Sequence, residues 1–141
     1  MRKYHTLDKN QKKNIQKEIT NCLRDENKII FAYLHGSFLK DRFRDIDICI
    51  YLNVDFSKKK VLEYELVLED ELSRRLSYPC DVRVLNHAPL SFRFSVIKHG
   101  VLLFSKNEIK RADFECLSMV EYHDFDFYRN RYLRDALGIK V

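Results

Sequence analysis

The chain has 141 residues, a length that suits one compact domain and leaves little room for a second independent core. Hydrophobic residues make up 45% of it, which is too many for a disordered chain. The formal net charge of +5 comes from interspersed acidic and basic residues. This charge is compatible with an anionic ligand, but it favours an ordinary solvated surface over direct nucleic-acid binding.

The sequence carries no pattern typical of a membrane span or of export. Its longest apolar run, residues 29–34, is far too short to cross a bilayer. The start, "MRKYHTLDKNQKKN", lacks the apolar centre of a secretory signal. We therefore expect a cytoplasmic protein without a membrane partner. The cysteines lack the paired spacing of a structural zinc site, and most of them fit buried free thiols: Cys22, Cys49, Cys80 and Cys116.

The first half of the chain predicts a helix followed by two strands. The helix spans about residues 8–27, with Asp8 as its N-cap. "KIIFAYL" is rich in β-branched and aromatic residues and predicts a buried strand that ends at His35-Gly36-Ser37. "DIDICIYLN" predicts the second strand.

The second half alternates helices and strands. An amphipathic helix follows Ser57 and is broken by Pro79, and "CDVRVLN" predicts a third strand. A short helix starts at a proline and ends at a glycine, "VLLFSK" predicts a fourth strand, and a long helix is closed by Gly138. The order α-β-β-α-β-α-β-α predicts an α/β (α+β) fold with one mixed four-stranded sheet covered by helices. We expect a single domain over 1–141, with an N-terminal helix (1–27), a catalytic sheet with its helices (28–105) and a C-terminal helix (106–141).

Two aspartates in the second predicted strand are the first sign of chemistry. Strand side chains alternate, so Asp45 and Asp47 project to one face while the isoleucines between and after them point to the core. Carboxylates roughly 6–7 Å apart at their Cβ atoms repel each other unless a cation lies between them. Mg²⁺ prefers such oxygen ligands and keeps positions open for phosphates. The pair therefore predicts a metal site.

A third carboxylate, Asp81, opens the third predicted strand. If that strand lies beside the second, Asp81 joins Asp45 and Asp47. Three carboxylates can hold two Mg²⁺ ions roughly 3.5–4 Å apart, the arrangement used for in-line phosphoryl chemistry. Asp81 would then help to hold the second ion and could accept the proton of the attacking hydroxyl.

The Gly36-Ser37 pair is suited to bind phosphate. Glycine allows a ligand to approach the backbone closely, and the serine hydroxyl and nearby N–H groups can donate to phosphate oxygens. Each feature alone has an ordinary structural explanation as a strand end or a turn. Their occurrence together on consecutive strands is more specific, because a motif gains weight from its structural context. Arg83 shares the face of Asp81 and could pair with a carboxylate instead of touching a ligand.

With these residues in place, the sequence resembles the DNA polymerase β-like nucleotidyltransferases, and most closely their smallest branch, the minimal nucleotidyltransferase (MNT) proteins. The resemblance rests on the order of these features along the chain. A strand ends in Gly-Ser, a loop leads to a strand that carries D-x-D, and a helix then leads to a strand that carries a third aspartate. The resemblance continues through "DVRVLNHAPLSFRFSVIKHGVLLFSKN" and "RADFECLSMVEYHDFDFYRNRYL", which includes an "EYxDF" element, and so covers about residues 28–135.

The resemblance implies a Mg²⁺-dependent enzyme that transfers a nucleoside monophosphate from ATP or another triphosphate to a hydroxyl. Many members are MntA-type antitoxins that adenylylate a tyrosine of an all-helical HEPN ribonuclease toxin, HepT, as in type VII-like pairs. The resemblance implies that Gly36 and Ser37 bind the phosphates of the nucleotide, that Asp45 and Asp47 bind metal, and that Asp81 is the third catalytic carboxylate.

Two alternatives to this function stay open. The segment "FLKDRFR" between Gly-Ser and D-x-D is shorter than the family's usual stretch of about ten residues, which suggests a binding module that neutralises a toxin without catalysis. A transferase for small molecules is the other alternative, although such enzymes usually carry an additional substrate domain. The last predicted helix has many aromatic residues, which either cover the sheet or form a surface for a homodimer or a toxin.

Overall fold

The computed structural model describes residues 3–138 and confirms the predicted order of elements. One short 3-10 turn, Gly36–Leu39, adds to it. The helices and strands are α1 (Lys9–Arg24), β1 (Ile29–His35), β2 (Ile46–Leu52), α2 (Lys58–Leu76), β3 (Cys80–Val84), α3 (Leu90–His99), β4 (Val101–Ser105) and α4 (Glu108–Leu137).

The strands form one mixed sheet in the order β3-β2-β1-β4. β1 runs antiparallel to both β2 and β4, whereas β2 and β3 are parallel and are joined by α2. The mixed four-stranded sheet with helices, and hence the α+β fold class, is confirmed. The parallel pairing of β2 with β3 places the N-terminal ends of these two strands side by side, at the same end of the sheet.

The two faces of the sheet pack against different helices. On one face, isoleucines of β2 join buried residues of α1 and α2, among them Ile19, Leu23, Leu68 and Leu72. On the other face, Phe31 and Tyr33 of β1 pack with Val96 of α3 and Phe114 of α4. Burial of apolar surface on both faces stabilises the fold.

Capping residues mark most helix boundaries as the sequence indicated. The Asp8 side chain accepts a hydrogen bond from the Gln11 N–H as part of a capping box, and Ser57 caps α2. The end of α1 differs from the prediction, because the helix ends at Arg24 and not at about residue 27. The second helix, α2, ends at Leu76, ahead of Pro79 as predicted. Ser77 adopts a left-handed conformation with φ 64°, and this turns the chain out of the helix.

Side chains of α2 satisfy the outer edge of β3. The backbone N–H groups on this edge donate to one face of the helix: Val84 to Glu65 and Val82 to Glu69, both at 2.9 Å, and Cys80 to Ser73 at 3.0 Å. These bonds replace the strand partner that an edge strand lacks. They also fix the position of the strand that carries Asp81.

The C-terminal half of α4 exposes several aromatic side chains. Phe114 is buried, but several later aromatic residues are 60–66% exposed: Phe125, Phe127, Tyr128 and Tyr132. These four residues therefore do not cover the sheet. Within residues 3–138, no helix combines the length and the apolar character that a bilayer span requires.

Candidate active site

The centre of the site is a row of three side chains across the sheet. Asp47 on β2 is paired in register with Asp81 on β3 and with His35 on β1. Residues paired in register project from the same face of a sheet, so the two carboxylates and the imidazole are neighbours. All three residues are of intermediate burial. The condition that the sequence left open, the adjacency of the second and third strands, is met.

Asp45 lies just outside β2, which begins at Ile46. The sequence placed Asp45 inside the strand, and the structure corrects this by one residue. The Ile46 N–H donates to the carbonyl of Pro79 at 2.9 Å, which ties the start of β2 to the turn before β3. Burial, with smaller contributions from the nearby charges of Asp81 and Asp45, raises the pKa of the Cys80 thiol to about 11. Both carboxylates therefore lie near this thiol, at the same edge of the sheet.

Gly36 is in direct contact with the Asp47 carboxylate. A Cβ atom built on Gly36 would lie 2.1 Å from Oδ2 of Asp47 and 3.1 Å from its Cγ. The residue also has φ +80°, a conformation that side chains rarely adopt. Glycine is thus required here for two independent reasons, and its absence of a side chain lets the turn approach the carboxylate.

Ser37 lies in the 3-10 turn that follows β1. Its Oγ accepts a hydrogen bond from the backbone N–H of Arg44 at 3.4 Å, which closes the short segment back onto the turn. The guanidinium groups of Arg42 and Arg44 lie 5.0 and 4.6 Å from the ring centroid of Tyr4. The predicted nucleotide residues and the basic segment are therefore adjacent.

His35 is a site residue that the sequence did not single out. Its Nε2 lies 3.2 Å from Oγ of Ser95, and its ring meets the ring of Phe92 at 5.7 Å. Burial lowers the pKa of His35, and the charge of His99 lowers it further, which favours the neutral form of the ring. The strand alternation that identified the aspartates would also have found His35, had the register of β1 with β2 been known.

Arg83 lies on β3 two residues after Asp81, on the same face of the sheet, and is paired in register with Cys49. Its guanidinium is 5.6 Å from the ring centroid of Phe92, a typical cation–π distance. Phe92 therefore packs over the inner side of the site, between His35 and Arg83. It contributes an apolar wall beside the polar row.

The oxygen ligands of the site fit Mg²⁺. Among residues 3–138, no group of three or more His, Cys, Asp or Glu side chains is arranged as a ready metal cluster. Mg²⁺ does not need such a cluster, because it is usually bound by one or two carboxylates together with waters and substrate phosphates. Asp47 and Asp81, paired in register near the starts of β2 and β3, meet that requirement, and Asp45 directly precedes β2.

A comparison with protein families finds that the model for polymerase beta nucleotidyltransferases matches residues 17–109. The chain belongs to this family. The match spans the three aspartates, the Gly36-Ser37 pair and the whole of the sheet, while α4 lies almost entirely beyond it. No curated protein matches the chain.

Chains in solved toxin–antitoxin structures share the fold. One comes from a complex of a tri-AMPylated Shewanella oneidensis HEPN toxin with an MNT antitoxin; it is 21% identical, with a TM-score of 0.68 over 89% of this chain and 98% of that one. A second comes from the MntA–HepT toxin–antitoxin, at 21% identity and a TM-score of 0.66, with 89% and 98% covered. A third, a toxin–antitoxin with AMP-PNP, is 22% identical, with a TM-score of 0.68 and coverage of 86% and 98%.

Proposed function

We propose that this nucleotidyltransferase transfers AMP from ATP, with Mg²⁺, to a tyrosine hydroxyl of a HEPN toxin and so acts as an antitoxin. The observation that carries the proposal is the register pairing of Asp47 with Asp81 beside Gly36, which itself touches Asp47. The family supplies the reaction class. The acceptor is inferred from the similar structures, one of which contains an AMPylated HEPN toxin.

The proposed reaction forms one bond and breaks one. The acceptor oxygen attacks the α-phosphorus of ATP, and the bond from that phosphorus to the oxygen bridging to the β-phosphate breaks. Pyrophosphate leaves, and AMP stays on the acceptor as a phosphodiester. The hydroxyl proton passes to Asp81 or to solvent.

Each site residue has a separate part in this scheme. Asp45, Asp47 and Asp81 would hold Mg²⁺, which, when bound, neutralises phosphate charge and lowers the pKa of the attacking hydroxyl. Gly36 lets the phosphates approach the backbone next to Asp47, and Ser37 offers its hydroxyl to a phosphate oxygen. Together these residues align the phosphate chain with the carboxylate row.

Intact mass spectrometry of a HEPN partner tests the proposal. The partner is incubated with this protein, ATP and Mg²⁺, and the gain in mass is compared between wild type and Asp45→Asn/Asp47→Asn. A matched control, Asp55→Asn/Asp70→Asn, also removes two carboxylates, both of them exposed and remote from the row, with 87% and 63% of their side chains accessible. We expect one or more AMP units with wild type and with the control, and none with the double variant.

Two other outcomes separate the remaining functions. A stable complex of the wild-type protein with the HEPN partner, without any gain in the partner's mass, would point to a non-catalytic antitoxin. In that case the double variant should still suppress the toxin. If neither a mass gain nor a complex is found, the HEPN acceptor is wrong, and small-molecule hydroxyls become the acceptors to test.

A further inference from the structure

A lysine that precedes the residues matched by the family model contacts the 3-10 turn Gly36–Leu39, which we propose binds the nucleotide. Lys12 belongs to α1 and precedes the matched residues 17–109. Its Nζ donates to the carbonyl of Phe38 at 2.8 Å and also to the carbonyl of Lys40. These carbonyls lie within and directly after the 3-10 turn Gly36–Leu39. A single cation therefore joins α1 to the end of the turn.

Aromatic residues hold this cation in place. Nζ of Lys12 lies 5.2 Å from the ring centroid of Phe38 and 5.7 Å from that of Phe43. Both rings are buried, with 1% and 0% of their surface exposed, and they pack edge to face at 4.9 Å. Because the rings cannot move without opening the core, the lysine is bound to a rigid part of the molecule.

The far end of the short segment is fastened by the same part of the chain. His5 and Phe43 exchange two backbone hydrogen bonds, at 2.8 and 3.1 Å, and the His5 ring packs on Phe43 and Tyr78. The segment between Gly-Ser and D-x-D is thus held at one end by Lys12 and at the other by His5. Residues before the family match supply both contacts.

We propose that Lys12 is a positioning residue for nucleotide binding. By hydrogen bonding to the carbonyls of Phe38 and Lys40, Lys12 fixes the position of the turn. In this position Gly36 contacts Asp47, and Ser37 accepts the hydrogen bond from the Arg44 N–H. Lys12 itself does not touch the nucleotide. The inference rests on one part of the proposed function, namely that the turn binds the phosphates of ATP. The contacts of Lys12 also account for how the short segment 38–44 is held in place.

The test compares Lys12→Met with Lys13→Met, which removes the neighbouring, exposed lysine. One readout is the hydrogen exchange of the Lys40 amide, which donates to the carbonyl of Ser37 at 2.9 Å. The other is the affinity for AMP-PNP with Mg²⁺, measured by calorimetry. We expect Lys12→Met to speed this exchange and to weaken AMP-PNP binding, each about tenfold, because two hydrogen bonds donated by the charged Lys12 side chain are lost. Lys13→Met should match wild type.

Kinetics separate positioning from a general loss of structure. In the transfer assay, Lys12→Met should raise KM for ATP about tenfold while kcat stays within about twofold, the pattern of lost uniform binding. Lys12→Arg, which keeps a cationic donor, should recover most of the affinity. If Lys12→Met does not fold, Lys12→Gln, a shorter neutral donor, replaces it in every assay.

Several results would overturn the inference. They are unchanged exchange and affinity in Lys12→Met, equal effects of Lys12→Met and Lys13→Met, or a fall in kcat with KM unchanged. A wild-type protein that binds AMP-PNP but modifies no partner would contradict the proposed reaction alone, since the binding assay still tests Lys12. A wild-type protein that binds no AMP-PNP would contradict both proposals.

Discussion

The two faces of strand β2 carry different kinds of side chain. The face toward α1 and α2 carries Ile46, Ile48, Ile50 and Leu52, all with at most 2% of their surface exposed. The opposite face carries Asp47, Cys49 and Tyr51, and ends in the carboxylate row. A single strand thus contributes both to the core and to the site, because its side chains alternate with a period of two.

The polar face is itself divided along its length. At its inner part Cys49 is only 1% exposed, and burial raises the pKa of its thiol to about 12, with a further contribution from the charge of Asp47. One register step outward, Asp47 is only partly buried. Packing by α3 therefore reaches His35 but leaves Asp47 partly exposed, so this carboxylate stays accessible to a charged ligand.

Substitution of adjacent residues on opposite faces should separate stability from activity. Ile48→Ala removes a fully buried side chain and should lower the free energy of unfolding by about 2–5 kcal/mol, measured by urea denaturation. Asp47→Asn should change that free energy by less than about 1 kcal/mol. It should lower AMP transfer by about 100-fold or more, because charge stabilisation at the phosphates is lost. Equal losses of activity in the folded forms of both variants would contradict the division between the faces.

Gly36→Ala should damage the site and the fold together. The left-handed conformation at φ +80° costs a non-glycine residue about 1–2 kcal/mol, and the new methyl group would displace the Asp47 carboxylate. We expect a loss of stability of this size in thermal unfolding and a loss of most AMP transfer. Gly138→Ala provides a matched control, because Gly138 also has positive φ (68°) but has no atom within 4 Å of the built Cβ. If the two variants transfer AMP equally well, contact with Asp47 is not the reason for glycine at position 36.

Glu65 should make stability depend on pH. Burial raises its pKa above the ordinary value of 4.5, and the charge of Glu69 raises it further. The folded state therefore binds the proton more tightly, so its stabilising contribution is complete below pH 4.5 and is lost as the pH rises through the folded pKa. Glu65→Gln keeps an acceptor for the Val84 N–H and should be more stable at pH 7, by less than about 1 kcal/mol after solvent screening.

That advantage should vanish as the pH falls below 4.5, which urea denaturation at several pH values would measure. Glu63→Gln, an exposed substitution on the same helix, reports the general effect of removing one negative charge. An equal, pH-independent effect of both variants would show that burial of Glu65 is not the cause.

Thiol labelling should give the smallest but most selective difference. Cys116 is exposed, whereas Cys22, Cys49 and Cys80 are buried, and burial raises the pKa of each buried thiol. Iodoacetamide should therefore add one group to the native protein, at Cys116, and react with the other thiols only after unfolding. Peptide mass mapping identifies the site, and Cys116→Ser should abolish the rapid adduct. Rapid labelling of Cys49 in native protein would mean that the polar face opens.

The sequence alone determined the elements and the identity of the candidate ligands. Periodicity and caps located the helices and strands to within a few residues, because Asp8 and Ser57 act on their own backbone neighbours. Strand alternation placed Asp47 opposite the apolar face of β2. These features depend on residues close together in the chain, so local physical chemistry was sufficient.

Only the tertiary structure decided which distant residues meet. The register of three strands brought His35, Asp47 and Asp81 into one row, and no local pattern specifies a register between strands. The contact of Gly36 with Asp47, the bonds of Lys12 to the turn and the bonds of α2 to the edge of β3 likewise join residues far apart in sequence. Such contacts form only when the core has packed, because the packing of the helices on the sheet sets the distances between these side chains.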